Sequence, residues 1–435
     1  MDKALKFFDI YPKVVPADKT VTIHIRPLYE HVKFVEGEEY EVLYYPMERV
    51  SVHGEYQYQM PQLVKVEKGV LKINQYFAGE QEHMFVINDL NEEIEPIRIR
   101  VYSVEDDLFN KRPYLGDLNT QSYYSDGEES PAFIAASARN KGLDFISVTD
   151  HHQYKPSLEA IERFKDVEID LLILPGEKVH LPDNPVHILN FGGESSINKF
   201  VEEHQEDYFL QVKAIAKDIV GIKDPQTRFL TASSIWAFDR IRNANGLGVF
   251  CHPYWEVWTG YYVSRTVIDY FYKHKLFDAI ELLSGYYAHE EYANTLQVAR
   301  YYEALKESDD IPVVGVSDAH SCSDDDLLGN YFTVVFADDL TKEDIIKNIK
   351  GLYSVAVSSI PGEHQRAFGP FRLVRYTQFL LREIFPLHNK LCELEGAQMY
   401  AHLGDDKRAK RQLSIMQGQT ESLYNKLFAK PTNIK

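Results

Sequence analysis

The sequence predicts an α/β protein in three parts: an all-β sandwich over residues 1–110, an α/β barrel over 111–360 and a helical extension over 361–435. Three observations predict it. Apolar residues alternate with polar ones through the first hundred positions, the period of half-buried strands. Short uninterrupted apolar runs then take turns with helical stretches, as buried parallel strands with crossover helices do. Toward the end, apolar residues recur at helical spacing.

In the first part, Val21, Ile23 and Ile25 alternate with polar neighbours, as do Ile97, Ile99 and Val101. Between them lie short β-rich runs at Tyr40–Tyr45, Gln62–Val66, Val70–Ile73 and Met84–Ile87, punctuated by Gly, Pro and Asn/Asp. That spacing predicts a small antiparallel sandwich. Ser103–Pro113 reads as a polar, acidic connector. In the second part the apolar runs are Phe145–Val148, Leu171–Leu174, Val186–Leu189, Gly248–Cys251, Ala279–Leu282 and Val313–Val316. After Pro361-Gly362, Phe371, Val374, Leu381, Ile384, Leu391 and Leu394, then Leu413, Met416, Leu423 and Leu427, predict two or three helices that pack on the barrel or form an oligomer contact.

Composition bounds the function. The chain has 435 residues, 44% of them hydrophobic, enough for two or three domains. A formal net charge of −19 argues against nucleic acid and anionic membranes as partners. No run of 18 apolar residues offers a membrane span, and the N-terminus lacks a signal-peptide pattern. The three cysteines, Cys251, Cys322 and Cys392, form no disulfide framework, and a cytoplasmic location is expected.

Polar residues with ligand chemistry follow the apolar runs of the barrel. They are His151 in Thr149-Asp150-His151-His152, Glu177 in Pro175-Gly176-Glu177, His187, His252 in Cys251-His252-Pro253, and Asp318 and His320 in Ser317-Asp318-Ala319-His320. In an α/β barrel such positions line the carboxyl rim, where active sites are built from several strand ends. Imidazole mixed with carboxylate suits Zn, Mn or Fe better than Mg or Ca. Six candidates exceed the needs of one ion, so at least two divalent ions are expected.

These residues resemble the PHP superfamily, the polymerase and histidinol phosphatase group of metal-dependent phosphoesterases. Family sequences open with Asp-Leu-His-x-His and a following Ser-Asp-Gly. Here the stretch reads Asp117-Leu118-Asn119-Thr120-Gln121-Ser122-Tyr123-Tyr124-Ser125-Asp126-Gly127. Gly142-Leu143-Asp144-Phe145-Ile146-Ser147-Val148-Thr149-Asp150-His151 is similar to the second motif, and Glu177, His187, His252, Asp318 and His320 match the remaining ligands in order. The resemblance implies a distorted β/α barrel of the seven-stranded type and hydrolysis of a small phosphorylated ester by a metal-activated hydroxide. It implies one ion on Asp126, His151 and His320, and another on Glu177, His187 and His252. A third, shared by Glu177 and Asp318, would lack both histidines, because Asn119 and Gln121 offer only neutral amides. Asp318, His320 and His252 are the candidates for proton transfer. The N-terminal sandwich also resembles the carbaryl-hydrolase-like branch, which keeps carboxylic and carbamic esters open.

Other readings stand beside these. The alternative is a catalytically silent binding or scaffold protein that reuses the barrel, suggested by the double replacement at Asn119 and Gln121. Asp126 has the alternative of an ordinary Ser-Asp-Gly turn. Asp117 reads as a carboxylate orienting its neighbours, and Glu281 either faces the site or makes a structural hydrogen bond. His24, His152, His180 and His289 read as surface or packing residues, and Cys251 and Cys322 as small buried side chains. Tyr254, Trp255 and Trp258 either wall a pocket or fill core. Arg265 and Lys178 are candidates, by charge and position, for holding a phosphate.

Overall fold

Strand Leu71–Phe77 buries Leu71, Ile73, Gln75 and Phe77 and exposes the residues between them, so its sequence period is its structural period. The computed structural model describes residues 3–48, 60–91, 95–257, 260–307, 310–323 and 326–429. They belong to two units: Met1–Arg112 with Arg375–His388 and Gly418–Lys435, and Pro113–Val374 with Asn389–Gln417.

In the first unit, Lys19–Pro27 lies between Phe8–Tyr11 and Leu71–Phe77, with Ile23 opposite Ile73 and Ile25 opposite Leu71. A five-stranded sheet runs in the order Val14–Pro16, Ile97–Val104, Gln81–Asp89, Glu39–Pro46, Gln62–Lys65. Ile23, Ile73 and Phe77 from one sheet and Val42, Phe85 and Ile99 from the other share a single core. Each such side chain contributes about 1.5–3 kcal/mol when withdrawn from water. The same unit takes in part of the chain's end: the rings of Tyr376 and Phe379 lie 5.0 and 5.4 Å from Tyr102, and Lys13 Nζ is 2.5 Å from Glu383 in a buried ion pair.

The second unit contains two sheets. One runs Leu172–Leu174, Phe145–Val148, Arg112–Thr120, Tyr331–Ala337, Ser354–Ser358, Arg366–Phe368; the other runs Gly176–Leu181, Asn184–Phe191, Leu247–Phe250, Ala279–Leu283, Val313–Gly315. They meet at the isolated bridges His151–Lys178 and Thr120–Ala319, which draws the ends of strands from both sheets into one place. Helices join the strands, and four of them among the described residues carry a side-chain cap. Ser130, Ser196, Asp224 and Thr341 each accept a hydrogen bond from the backbone N–H three residues on.

The structure corrects several expectations. The strands are not all parallel: Gly176–Leu181 pairs antiparallel with Asn184–Phe191, which pairs antiparallel with Leu247–Phe250. The first pair is a hairpin turned at Pro182-Asp183, with Asp183 at φ +57°. Apolar runs alone carry no strand direction, which is why the sequence did not distinguish the two cases. The stretch read as a connector contains the end of one strand, the helix Asp106–Phe109 and the start of Arg112–Thr120. The chain's end holds four helices among the described residues, Phe371–Glu383, Phe385–Leu403, Ala409–Met416 and Gln419–Leu427, after the strand Arg366–Phe368.

Candidate metal centre

The loop leaving Arg112–Thr120 is fastened to the second motif by one buried carboxylate. Asp150 accepts from Ser122 N at 2.9 Å, Ser122 Oγ at 2.7 Å and Ser125 Oγ at 2.6 Å. Gly127 closes the loop where only hydrogen fits, since a Cβ there would lie 2.2 Å from Gln121 O. The fold thereby carries Asp126 to His151 and His320, with Asp126 Oδ2 3.6 Å from His151 Nε2 and 3.4 Å from His320 Nε2. Donor atoms of these three residues lie within 4.8 Å of one another, and all three side chains are partly open to solvent. Burial opposes ionisation of Asp126, but the His320 hydrogen bond and the two imidazoles outweigh it and hold the carboxyl well below its usual range. His151 is shifted down to about 4, first by burial and then by the charge of Lys178, so its imidazole is neutral and available.

Strand Gly176–Leu181 decides what faces the centre. Successive side chains of a strand point to opposite faces, so Lys178 and His180 share one face and Glu177 takes the other. Lys178 is opposite Leu189 and Glu177 opposite Asn190, which puts His187 on the face of Lys178. Glu177 is turned to Asn190 and the N-terminus of helix Ile197–Glu203. Its oxygens accept from Ile197 N at 2.5 Å, Ser196 Oγ at 2.7 Å, Asn198 Nδ2 at 2.9 Å and Asn190 Nδ2 at 3.2 Å. A carboxylate there satisfies the orphan amides of the helix start. His180, expected as a surface or packing residue, sits with Nε2 2.5 Å from His151 Nδ1, and donor atoms of His151, His180 and His187 lie within 4.8 Å of one another.

Beyond these lies a hydrogen-bonded chain of four residues. Tyr262 OH is 2.8 Å from His187 Nε2, His187 Nδ1 is 2.9 Å from His252 Nε2, and His252 Nδ1 is 2.9 Å from Glu281 Oε1. One set of tautomers satisfies every link: the phenol donates to His187, His187 donates to His252, and His252 donates to the carboxylate. Trp255 packs beside this chain, its ring centroid 5.9 Å from His252 and 5.2 Å from Tyr262. His252 and Asp318 hold the left-handed φ values +23° and +47°, strain of the kind found at functional sites.

Asn119, Gln121 and Asp318, expected around a third ion, are instead bonded to one another and to Lys178. Lys178, 1% exposed, places its Nζ 2.8 Å from Asp318 Oδ1. Gln121 Nε2 donates to the same oxygen at 3.3 Å and to Asn119 Oδ1 at 3.1 Å. Below them, Asp117 bonds Ser317 through its hydroxyl and, at 3.1 Å, its N–H, and also accepts from Asn119 N at 3.1 Å. Burial pushes its carboxyl up to about 7 against those bonds. Two imidazoles and a carboxylate with open positions, as at Asp126, His151 and His320, fit a divalent transition ion. Asn119, Gln121, Glu177 and Asp318 do not fit one: two offer amides, one faces away, and one is paired with an ammonium.

Other candidates fall elsewhere. Arg265 is 93% exposed and pairs with Asp269 one helical turn away, so it holds nothing at this centre. His289 lies exposed beside Glu290, His24 stacks on Tyr11 in the first unit, and His152 stacks on His180. Tyr254 packs edge-on to Tyr261. Cys251 is buried beside His252 and Glu281, and Cys322 N donates to Glu129. Trp258 lies outside the described residues. Sequence reasoning missed Tyr262 and Asp150 and set His180 aside; alternation with Lys178 was the available signal for His180.

No protein-family profile matches the chain, and no curated protein matches it. Among solved structures it is similar to a two-domain protein from Bacteroides vulgatus described as containing a predicted PHP-like metal-dependent phosphoesterase. That likeness has 16% identity and a TM-score of 0.38, and covers 57% of this chain and 65% of that one, so the chain spans under two thirds of that relative's length. It is also similar to an amidohydrolase from Chromobacterium violaceum with bound sulfate and no metal, at 17% identity and TM-score 0.32, covering 57% of this chain and 99% of that one. Likenesses this shallow leave the chemistry to be argued from the chain's own residues.

Proposed function

We propose that the chain is a divalent-metal-dependent hydrolase of the PHP type, acting on a small phosphate ester through a reduced centre that holds one ion. The observation that carries this reading is the convergence of Asp126, His151 and His320 at the junction where strand ends of both sheets meet. We read those sheets as the halves of a distorted barrel. Manganese, zinc or iron held there would supply Lewis-acid polarisation of the ester and activation of water.

The chain's own residues do the rest. Asp126, its carboxyl kept ionised, and the neutral His151 bind, while the Asp150 hydrogen bonds orient the loop that presents Asp126. His187 and His252 hold protons in a fixed direction from Tyr262 toward Glu281, so the Tyr262 oxygen, whose own hydrogen is donated to His187, is the end of that chain that can accept a hydrogen bond from a water or substrate hydroxyl. Trp255 packs against Tyr262 and His252 on that side.

The test is hydrolysis of p-nitrophenyl phosphate with and without added Mn²⁺. Stimulation by Mn²⁺ is expected, with at least a hundredfold loss in Asp126→Asn and His320→Ala. Equal rates in the presence of chelator would sink the reading. The replacement of the first histidines by Asn119 and Gln121 favours a second reading, a silent binding protein, and a total absence of turnover across phosphate, carboxylic and carbamic esters would support that one.

A further inference from the structure

We infer that the ammonium of Lys178 is the permanent cation of the inner half of this centre, standing where a metal ion would otherwise be shared by Asp318 and the first-motif residues. The inference rests on the reading of a metal centre above and deepens it. Lys178 is a positioning residue in this account, since it is buried and does not reach solvent.

Four observations converge on it. The Lys178 side chain is 2% exposed and Asp318 only 17%, with 2.8 Å between Nζ and Oδ1. The same carboxylate has Gln121 Nε2 at 3.3 Å on Oδ1 and His252 Nδ1 at 3.8 Å from Oδ2. Among the described residues, each of these three hydrogen-bond or ion-pair partners is a nitrogen of the protein. Asn119, which would supply a ligand here, spends its Oδ1 on Gln121 and on Thr149 Oγ1, at 3.1 and 3.0 Å, and its buried Nδ2 meets no partner among the described residues. Glu177, the carboxylate that would bridge two ions, is consumed by four hydrogen bonds on the opposite face of the strand.

Electrostatics makes the substitution coherent. A buried carboxylate needs a counter-charge, and the missing imidazoles removed the ligands that would have held one as a metal. Lys178 supplies it from the adjacent strand with no ion to recruit. A divalent ion beside Asp318 would meet a fixed positive charge at contact distance in a poorly screened site, where like charges repel strongly. Restoring the histidines is therefore not enough to restore the ion. The lysine must leave as well.

The experiment counts Mn²⁺ per folded chain by elemental analysis after dialysis, with circular dichroism to check folding, for four proteins. Wild type is expected to bind one ion. Asn119→His/Gln121→His, with Lys178 retained, is expected still to bind one. Asn119→His/Gln121→His/Lys178→Met is expected to bind two and to gain thermal stability from Mn²⁺ beyond that seen in wild type. Asp318→Asn, which leaves every outer ligand in place, is expected to keep the wild-type count, and it judges the inference if the triple variant does not fold. A second ion in the double variant, no gain in a folded triple variant, or loss of an ion in Asp318→Asn overturns the inference. No ion in wild type overturns the functional reading instead, while the difference between double and triple variants still judges Lys178.

Discussion

At the scale of single residues, protonation states follow from who donates to whom. His83 in the first unit is fully buried, with Nδ1 2.8 Å from Tyr44 OH and Nε2 2.7 Å from Ser103 Oγ. Ser103 donates its own hydrogen to Gly79 O, so it accepts from Nε2–H and Nδ1 must accept from the phenol. That arrangement is a neutral imidazole, and burial moves its pKa down to about 4. A histidine that gains protons less readily folded than unfolded gives stability that is complete above its unfolded value near 6.5 and is lost as pH falls toward 4. The loss is roughly 2–3 kcal/mol by the size of that shift. Urea unfolding of metal-free protein at pH 7.5 and pH 4.5 is expected to show a smaller drop in His83→Gln than in wild type; equal drops would contradict the assignment. The site is legible from sequence in part at this scale. Motif order singles out Asp126, His151 and His320, whose donor atoms the fold brings together, yet it is Lys178 and not Glu177 that faces Asp318, because neighbours on a strand face opposite ways and motif order alone does not say which faces inward.

At the scale of elements, two joints hold the second unit's strands in place. Gly285, just past strand Ala279–Leu283, approaches the loop of Asp318 so closely that a Cβ would stand 1.6 Å from Ser317 O. Gly285→Ala must push that backbone aside and is expected to cost about 1–3 kcal/mol or more. Chemical denaturation measures this, and an unchanged midpoint would show that the loop yields freely. The second joint is Arg139 on helix Pro131–Asn140, whose guanidinium is 0% exposed and lies 2.8 Å from Asp144 and 2.7 Å from Glu395. Arg139→Met removes the guanidinium that faces two buried carboxylates, for an expected loss of about 3–5 kcal/mol. Adding Asp144→Asn and Glu395→Gln to it is expected to restore part of that loss, and a further decrease would refute the ion-triad account. Strand positions were readable here wherever apolar runs were unbroken, as at Phe145–Val148 and Ala279–Leu283. Strand Gly176–Leu181 was not, because Glu177, Lys178 and His180 break its apolar pattern in order to face a helix start and the centre.

At the scale of the whole chain, alternation in the first hundred residues and apolar runs after them marked a strand-rich part and a mixed α/β part, while the short helices Lys3–Phe7 and Asp106–Phe109 left no such signal. The chain's end was legible as helix but not in its destination. Residues 375–388 belong with the first unit and 389–417 with the second, which helical periodicity alone does not encode because it specifies an apolar stripe and not its partner. The net charge of −19 suits a protein that attracts cations, yet the inner half of the centre meets that demand with its own lysine. The most direct test of this account is the number of divalent transition ions per chain in purified wild type and His320→Ala. One ion in the first and none in the second is the predicted result, and either zero or two in wild type would contradict it.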